Sequence, residues 1–208
     1  MAFPEVAGVL TDAATGSWRE VSRTFCYTGP VQPEVPTMSV VVIGYRNAGT
    51  IVRAVRSVAD QADAGIEIVA VTSGGDDSAA RLRAAFPALV IVESATPLWP
   101  GGSRNAGDEA TSGSVVAFLA ADCVAEPGWI AARRRLHDAG HPVVASAVTN
   151  GDRRHLAAWG FHFGVFGERL PGRGSGPVRG TDGAAHGCSY SRAVLEQLGP
   201  FDQSVRIG

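Results

Sequence analysis

The chain contains no lysine: all 18 of its basic residues are arginine. With 20 acidic residues the formal net charge is −2, so no global basic field draws the protein to nucleic acid or anionic lipid. Cysteine is scarce. Cys26, Cys123 and Cys188 are odd in number and widely spaced, which argues against a disulfide framework or a C-x-x-C zinc site and for a reducing compartment. No apolar run approaches the roughly 18–20 residues a membrane span needs. The start, Met-Ala-Phe-Pro-Glu-Val, lacks the basic and apolar regions of a signal peptide. The expected location is cytoplasmic, with membrane contact at most peripheral, at the inner face. Charged residues are few as well, 18% against 45% hydrophobic, too apolar for a disordered chain. What is plentiful is glycine, 26 of 208 residues, with abundant alanine and valine. That composition reads as the product of a GC-rich, bacterial genome, and the length suits one domain with a tail.

Residues 1–37 stand apart. They hold Pro4, Pro30, Pro33 and Pro36 and show no sustained periodicity, and read as an extension or edge element of unknown role, with Ser17 to Phe25 at most a short strand or turn. From residue 38 the pattern alternates. Ser39 to Gly44, Ile66 to Val71, Ala88 to Val92, Ser114 to Leu119 and Pro142 to Val148 read as strands. Between them, Ile51 to Ala62, a segment with Ala80, Leu82 and Phe86 capped by Asp76 or Asp77, Gly101 to Thr111 and Gly128 to Ala139 read as helices. Alternation of this kind predicts an α/β domain over 38–208: a mainly parallel sheet with helices on both faces. Arg133-Arg134-Arg135 reads as a solvated helix face, Cys123 and Cys188 as small buried fillers, and Gly172 to Gly187 as a mobile loop.

In an open parallel sheet, ligands gather at the carboxyl ends of the strands. After the first comes Gly44-Tyr45-Arg46-Asn47-Ala48-Gly49, which is not G-x-G-x-x-G, so a dinucleotide fingerprint is absent where it belongs. After the second comes Thr72-Ser73-Gly74-Gly75-Asp76-Asp77, whose backbone N–H groups suit a phosphate or a ribose hydroxyl, though a plain βα turn with an aspartate cap explains it equally. Arg104 and Asn105 open a glycine-rich helix and suit an anion, one by its charged fork and one by its amide. Asp122 ends an apolar strand, where an unpaired carboxylate is costly to bury, so it is expected to face a cleft, a metal or a partner. One such oxygen plus diphosphate oxygens is a usual setting for Mg²⁺ or Mn²⁺.

Taken in order, these segments resemble the family 2 inverting glycosyltransferases of the GT-A fold. The marks are Ser39-Val-Val-Val-Ile-Gly-Tyr-Arg-Asn; Ser57-Val58 with Gln61; Glu67-Ile-Val-Ala-Val into the glycine turn; Gly102-Ser-Arg-Asn-Ala-Gly with Gly113; Phe118-Leu-Ala-Ala-Asp-Cys with Trp129; and Gly187-Cys-Ser-Tyr-Ser-Arg192 followed by Leu198-Gly-Pro-Phe-Asp202. They cover residues 38–208. The resemblance implies a nucleotide-diphospho-sugar transferase. Its donor, a nucleoside-diphosphate sugar, would lie against Gly44, Tyr45, Thr72, Ser73, Asp76, Arg104, Asn105 and Ala121. A divalent metal would sit on Asp122, with His186 as a further ligand. The acceptor, a sugar, lipid-linked or metabolite hydroxyl, would lie by Trp159, His162, Gly187 and Cys188. The plainer reading of the aromatic stretch from His155 to Phe166 is packing against the sheet.

Three departures qualify that expectation. The first aspartate of the family's D-x-D is Ala120, which weakens the metal or ribose grip while leaving the second, Asp122, to make the direct contact. The acidic position after the second strand is Thr72 or Ser73. The Glu-Asp motif that supplies the catalytic base would begin just after Gly208, so residues 1–208 alone are expected to be inactive, a fragment cut inside a motif. The alternative is a non-catalytic nucleotide-sugar-binding or scaffold domain of the same fold, which Ala120 favours.

Overall fold

A computed structural model of the chain describes residues 6–9, 38–152, 154–171, 177–178 and 187–206. The elements in chain order are β1 (Val6–Val9), β2 (Met38–Tyr45), α1 (Ile51–Ala59), β3 (Ile66–Ser73), α2 (Ser78–Ala85), β4 (Val90–Ser94), α3 (Pro100–Glu109), β5 (Val115–Ala120), α4 (Trp129–Asp138), β6 (Val143–Ser146), α5 (Leu156–Phe166), a 3-10 turn (Gly167–Arg169), β7 (Pro177–Val178), β8 (Cys188–Ser191) and α6 (Arg192–Leu198).

The strands form one sheet in the order β4-β3-β2-β5-β8-β6-β1-β7. β4, β3, β2 and β5 are mutually parallel, and β8 runs antiparallel to both β5 and β6. The mainly parallel, helix-covered sheet expected from the alternation is therefore present, while β1, β7, β8 and α6 are elements that periodicity did not mark.

β2 shows why the sheet must be covered on both sides. Met38, Val40, Val41 and Val42 are all fully buried, so the strand has no solvent face. Val40 and Val42 pack with Ile51, Val55 and Val58 of α1, while Val41 packs with Val71, Val116 and Phe118 on the opposite face. Helix α3 closes on that second face because Gly107 lies directly on Val41, where a Cβ would clash with the valine Cγ1.

Several boundaries move for identifiable reasons. Pro87 follows α2, and the chain makes a turn, with Leu89 N donating to Phe86 O at 3.1 Å, before it can extend. β4 therefore starts at Val90 instead of Ala88. β6 ends at Ser146 instead of Val148, because Val148 N leaves the sheet to donate to Arg169 O at 2.9 Å. Within the stretch 1–37, Val6–Val9 pairs in parallel with β6, so this part is built into the sheet one strand from its edge. Ser17 to Phe25 and the boundary near Pro36 lie outside the described residues, as does most of Gly172 to Gly187.

Two expectations about side chains are corrected. Arg133 is not on a solvated face: it is 1% exposed, lies over the Trp129 ring at 3.7 Å, and donates to Ser146 Oγ at 2.6 Å and to Gly187 O. It falls on the inner side of α4 with Trp129, Ala132 and Leu136, while Arg134 pairs outward with Asp63 at 2.6 Å. Two of the aromatics of α5, Phe161 and Phe163, do not pack against the sheet. Phe161 and Phe163 are 68% and 55% exposed, and among the described helical side chains His162 alone is buried.

Candidate functional site

The carboxyl ends of β2 and β5 open into a cavity of about 270 Å³. Its floor is Ile43, Gly44, Phe118, Leu119, Ala120 and Ala121; its rim carries Tyr45, Asp122 and Gly187. The other wall comes from α3 and the turn before it, with Leu98, Trp99, Ser103 and Arg104, and Arg206 completes the mouth.

Each part is placed by local chemistry. Ala121 N donates to Ile43 O at 2.8 Å, which holds the end of β5 beside β2 and leaves the next residue, Asp122, projecting as an exposed carboxylate. Gly44 is needed there because a Cβ would stand 3.0 Å from Ala121 Cβ and 3.2 Å from Ile51 Cδ1. Arg104 is nearly buried, with its guanidinium 5.5 Å over the Phe201 ring, and burial lowers its pKa. Phe201 in turn meets Phe118 edge-on at 5.5 Å, so the arginine is carried on an aromatic stack rooted in the sheet.

The expected donor residues thus divide. Gly44, Tyr45, Arg104, Ala121 and Asp122 share the cavity. Thr72 and Ser73 lie one strand over, opposite Gly44 and Tyr45 in the β2–β3 register, and do not line it. Ser73 Oγ donates to Gly44 O at 3.4 Å, and the Thr72 hydroxyl is buried without a partner. Asp76 accepts from Ala48 N and Ser78 N, both at 3.0 Å, so it ties the two βα turns together. Burial raises its pKa, but these bonds outweigh that and hold it below the usual carboxylate range. Asn105 faces elsewhere: its amide donates to Phe201 O at 3.0 Å and accepts from Phe201 N at 2.9 Å, so both ends are engaged in holding the C-terminal segment.

On the acceptor side, Gly187 lines the cavity but Cys188 turns into the core beneath it. Burial pushes the Cys188 thiol up, and burial with the neighbouring Asp122 pushes Cys123 up to about 12, so neither is a thiolate at neutral pH. Trp159 and His162 lie on α5, 5.9 Å apart edge to face, and line no part of this cavity. His186 lies outside the described residues. Among the described residues no three His, Cys, Asp or Glu side chains are grouped to hold a metal ion. Among the described lining residues the one carboxylate is Asp122, and a single carboxylate fits a divalent cation only where diphosphate oxygens and waters supply the remaining ligands.

Sequence reasoning missed Leu98, Trp99 and Arg206. Trp99 lies inside the unusual Pro97-Leu-Trp-Pro run and could have been singled out by it; Arg206 carries no local signal.

A family model described as glycosyl transferase family 2 matches residues 39–199. The succinoglycan biosynthesis protein ExoO of Rhizobium meliloti (strain 1021) is 34% identical over 125 residues, 59% of this chain and 35% of that protein. Among solved structures, the mannosyltransferase PcManGT from Pyrobaculum calidifontis, in complex with GDP-Man and Mn²⁺, superposes with a TM-score of 0.60 at 20% identity, over 83% of this chain and 49% of that one. TarS residues 1–349 of S. aureus superposes at 0.63 and 18% identity, over 82% and 51%. Glucosyl-3-phosphoglycerate synthase from Mycobacterium tuberculosis, with Mn²⁺, UDP and phosphoglyceric acid, superposes at 0.53 and 23%, over 77% and 57%. The chain thus spans about a third of the curated relative and about half of the solved ones. The sheet is that of the GT-A glycosyltransferases.

Proposed function

Because the chain belongs to glycosyl transferase family 2, we propose that its cavity binds the nucleoside-diphosphate end of an activated sugar, for transfer with inversion to an acceptor hydroxyl. The observation that carries this is Asp122, an exposed carboxylate at the end of an apolar strand, facing a cavity it shares with Gly44, Tyr45 and Arg104. In this reading Arg104 presents a guanidinium to the diphosphate, and the fork of two N–H groups suits paired phosphate oxygens. The nucleoside lies over Tyr45 toward Thr72, Ser73 and Asp76. Asp122 would hold a divalent ion, which when bound neutralises the diphosphate leaving group. Presence of Mn²⁺ with GDP-Man or UDP in the solved relatives supports that assignment. The role of ExoO in succinoglycan biosynthesis supports a polysaccharide acceptor.

Among the described residues lining the cavity Asp122 is the one carboxylate, so the roles assigned here stop at donor binding, and the base that takes the acceptor proton is not among these described residues. A non-catalytic donor-binding domain is the second reading, favoured by Ala120 in place of a second carboxylate.

The test is thermal melting of the 208-residue chain with UDP, GDP, dTDP and CDP, each with and without Mn²⁺. Ligand at 100 times its dissociation constant adds about 2.7 kcal/mol. One diphosphate is expected to raise Tm, by more with Mn²⁺, and Asp122→Ala is expected to abolish the Mn²⁺ increment. No shift with any diphosphate, on a folded chain, overturns the donor site. Sugar transfer to an acceptor separates the enzyme from the binding domain.

A further inference from the structure

Among the described residues lining the cavity, cationic side chains outnumber carboxylates. Beside Asp122 its lining carries two guanidiniums, Arg104 and Arg206. At the first position of the carboxylate pair stands Ala120, whose methyl can take neither a cation nor a ribose hydroxyl. Two guanidiniums supply the same formal charge as one divalent ion.

Arg206 reaches the mouth through built contacts. Asn105 holds Phe201 by both its N–H and its C=O. The next residue, Asp202, lays its carbonyl on Gly101, where any Cβ would collide with it. Asp202 Oδ1 then accepts from Ser204 N at 2.8 Å and Ser204 Oγ at 2.7 Å, turning the chain back toward α3. Arg206 ends 5.3 Å over the Trp99 ring, itself 42% exposed, and makes no ion pair with any described residue. A ring face positions a guanidinium without neutralising it and leaves the N–H edge free to donate.

We propose that Arg206 is a diphosphate-binding residue, seated on Trp99, and that with Arg104 it lets the cavity take a nucleoside diphosphate without a divalent ion. This rests on the donor-site reading above and adds to it which charge meets the phosphates. Metal then strengthens binding through Asp122 but is not required for it.

The experiment is titration calorimetry of the 208-residue chain with UDP, GDP, dTDP and CDP, in EDTA and in Mn²⁺, with the matching nucleoside as a phosphate-free control. In EDTA the wild type is expected to bind one diphosphate. Arg206→Gln, an exposed change that leaves Tm unaltered, is expected to weaken it about tenfold, the worth of one charge-assisted hydrogen bond. Nucleoside binding is expected to be unaffected, and Arg206→Lys to restore part of the loss. Binding only in Mn²⁺, or an Arg206→Gln affinity equal to wild type, overturns the proposal and leaves the donor site standing. No binding of any diphosphate in either buffer brings down both.

Discussion

Arg133 and His137 lie one turn apart on α4, and both point polar atoms at β8 or the residue before it. Arg133 donates to Gly187 O, and His137 Nε2 meets Ser189 Oγ at 2.8 Å. Neither has a carboxylate among these partners, so burial is felt directly. It lowers Arg133 to about 9. Burial first, and then the neighbouring Arg133, lowers His137 to about 3 from an ordinary 6.5. Between those two values the unfolded chain takes up a proton that the folded chain refuses. The contribution of neutral His137 is therefore complete above pH 6.5 and is lost as pH falls toward 3, by at most about 1.4 kcal/mol per unit. Free carboxyl groups titrate at about 4, so the window from 6.5 to 5 is the one in which to read histidine. Urea unfolding is expected to show stability falling across that window, and His137→Gln to flatten the fall while costing about 1 kcal/mol at pH 7. An unchanged slope in the variant would assign the acid sensitivity elsewhere.

At the scale of elements, α3 matters most, because it carries Arg104 on one side and packs on β2 with the other. Its contact is glycine against valine, Gly107 on Val41, with no room for a Cβ. Gly107→Ala gains about 1 kcal/mol of helix propensity but forces the helix off the sheet, and overpacking of this kind costs about 1–3 kcal/mol. A net loss of stability is expected, together with weakened diphosphate binding as Arg104 shifts. Gly49→Ala, at a position with open space around it, is the control and is expected to leave both unchanged. If Gly107→Ala proves as harmless as Gly49→Ala, the close approach does not position the helix. Such an approach is readable in the sequence only as a small residue inside a helix. The strand ends that face the cavity were more legible: Gly44, Tyr45, Ala121 and Asp122 follow apolar runs whose direction is fixed by parallel pairing. β8 was not, since Cys-Ser-Tyr-Ser is four residues with no sustained alternation. Arg206 was not either, because it reaches the cavity by a clamp between Asn105 and Phe201, residues 96 positions apart.

Over the whole molecule, burial is uneven in a way that sets the order of opening. β2, β3 and β5 lie between helices, with Val40 to Val42, Val69 to Val71 and Val115 to Leu119 almost wholly buried. The sheet edge at β4 is half open, with Val90 50% exposed, and Leu156, Phe161, Phe163 and Val165 of α5 are all more than half exposed. Local opening costs least where few apolar contacts are broken and approaches the global unfolding free energy only in the core strands. Native-state hydrogen exchange is therefore expected to leave the amides of Val40 to Val42, Val69 to Val71 and Val116 to Phe118 as the last protected set. Those of α5 and β4 are expected to exchange earlier, through sub-global openings. The cavity is built on the slow set at Gly44 and Ala121 but closed by the segment from Phe201 to Arg206, which is tied to the rest mainly through Asn105 and the Phe118 stack. A nucleoside diphosphate that bridges Arg206 to Arg104 would slow exchange at the Ser204 amide far more than at Val41. Equal slowing at both sites would place the ligand on the sheet alone and remove the C-terminal segment from the site.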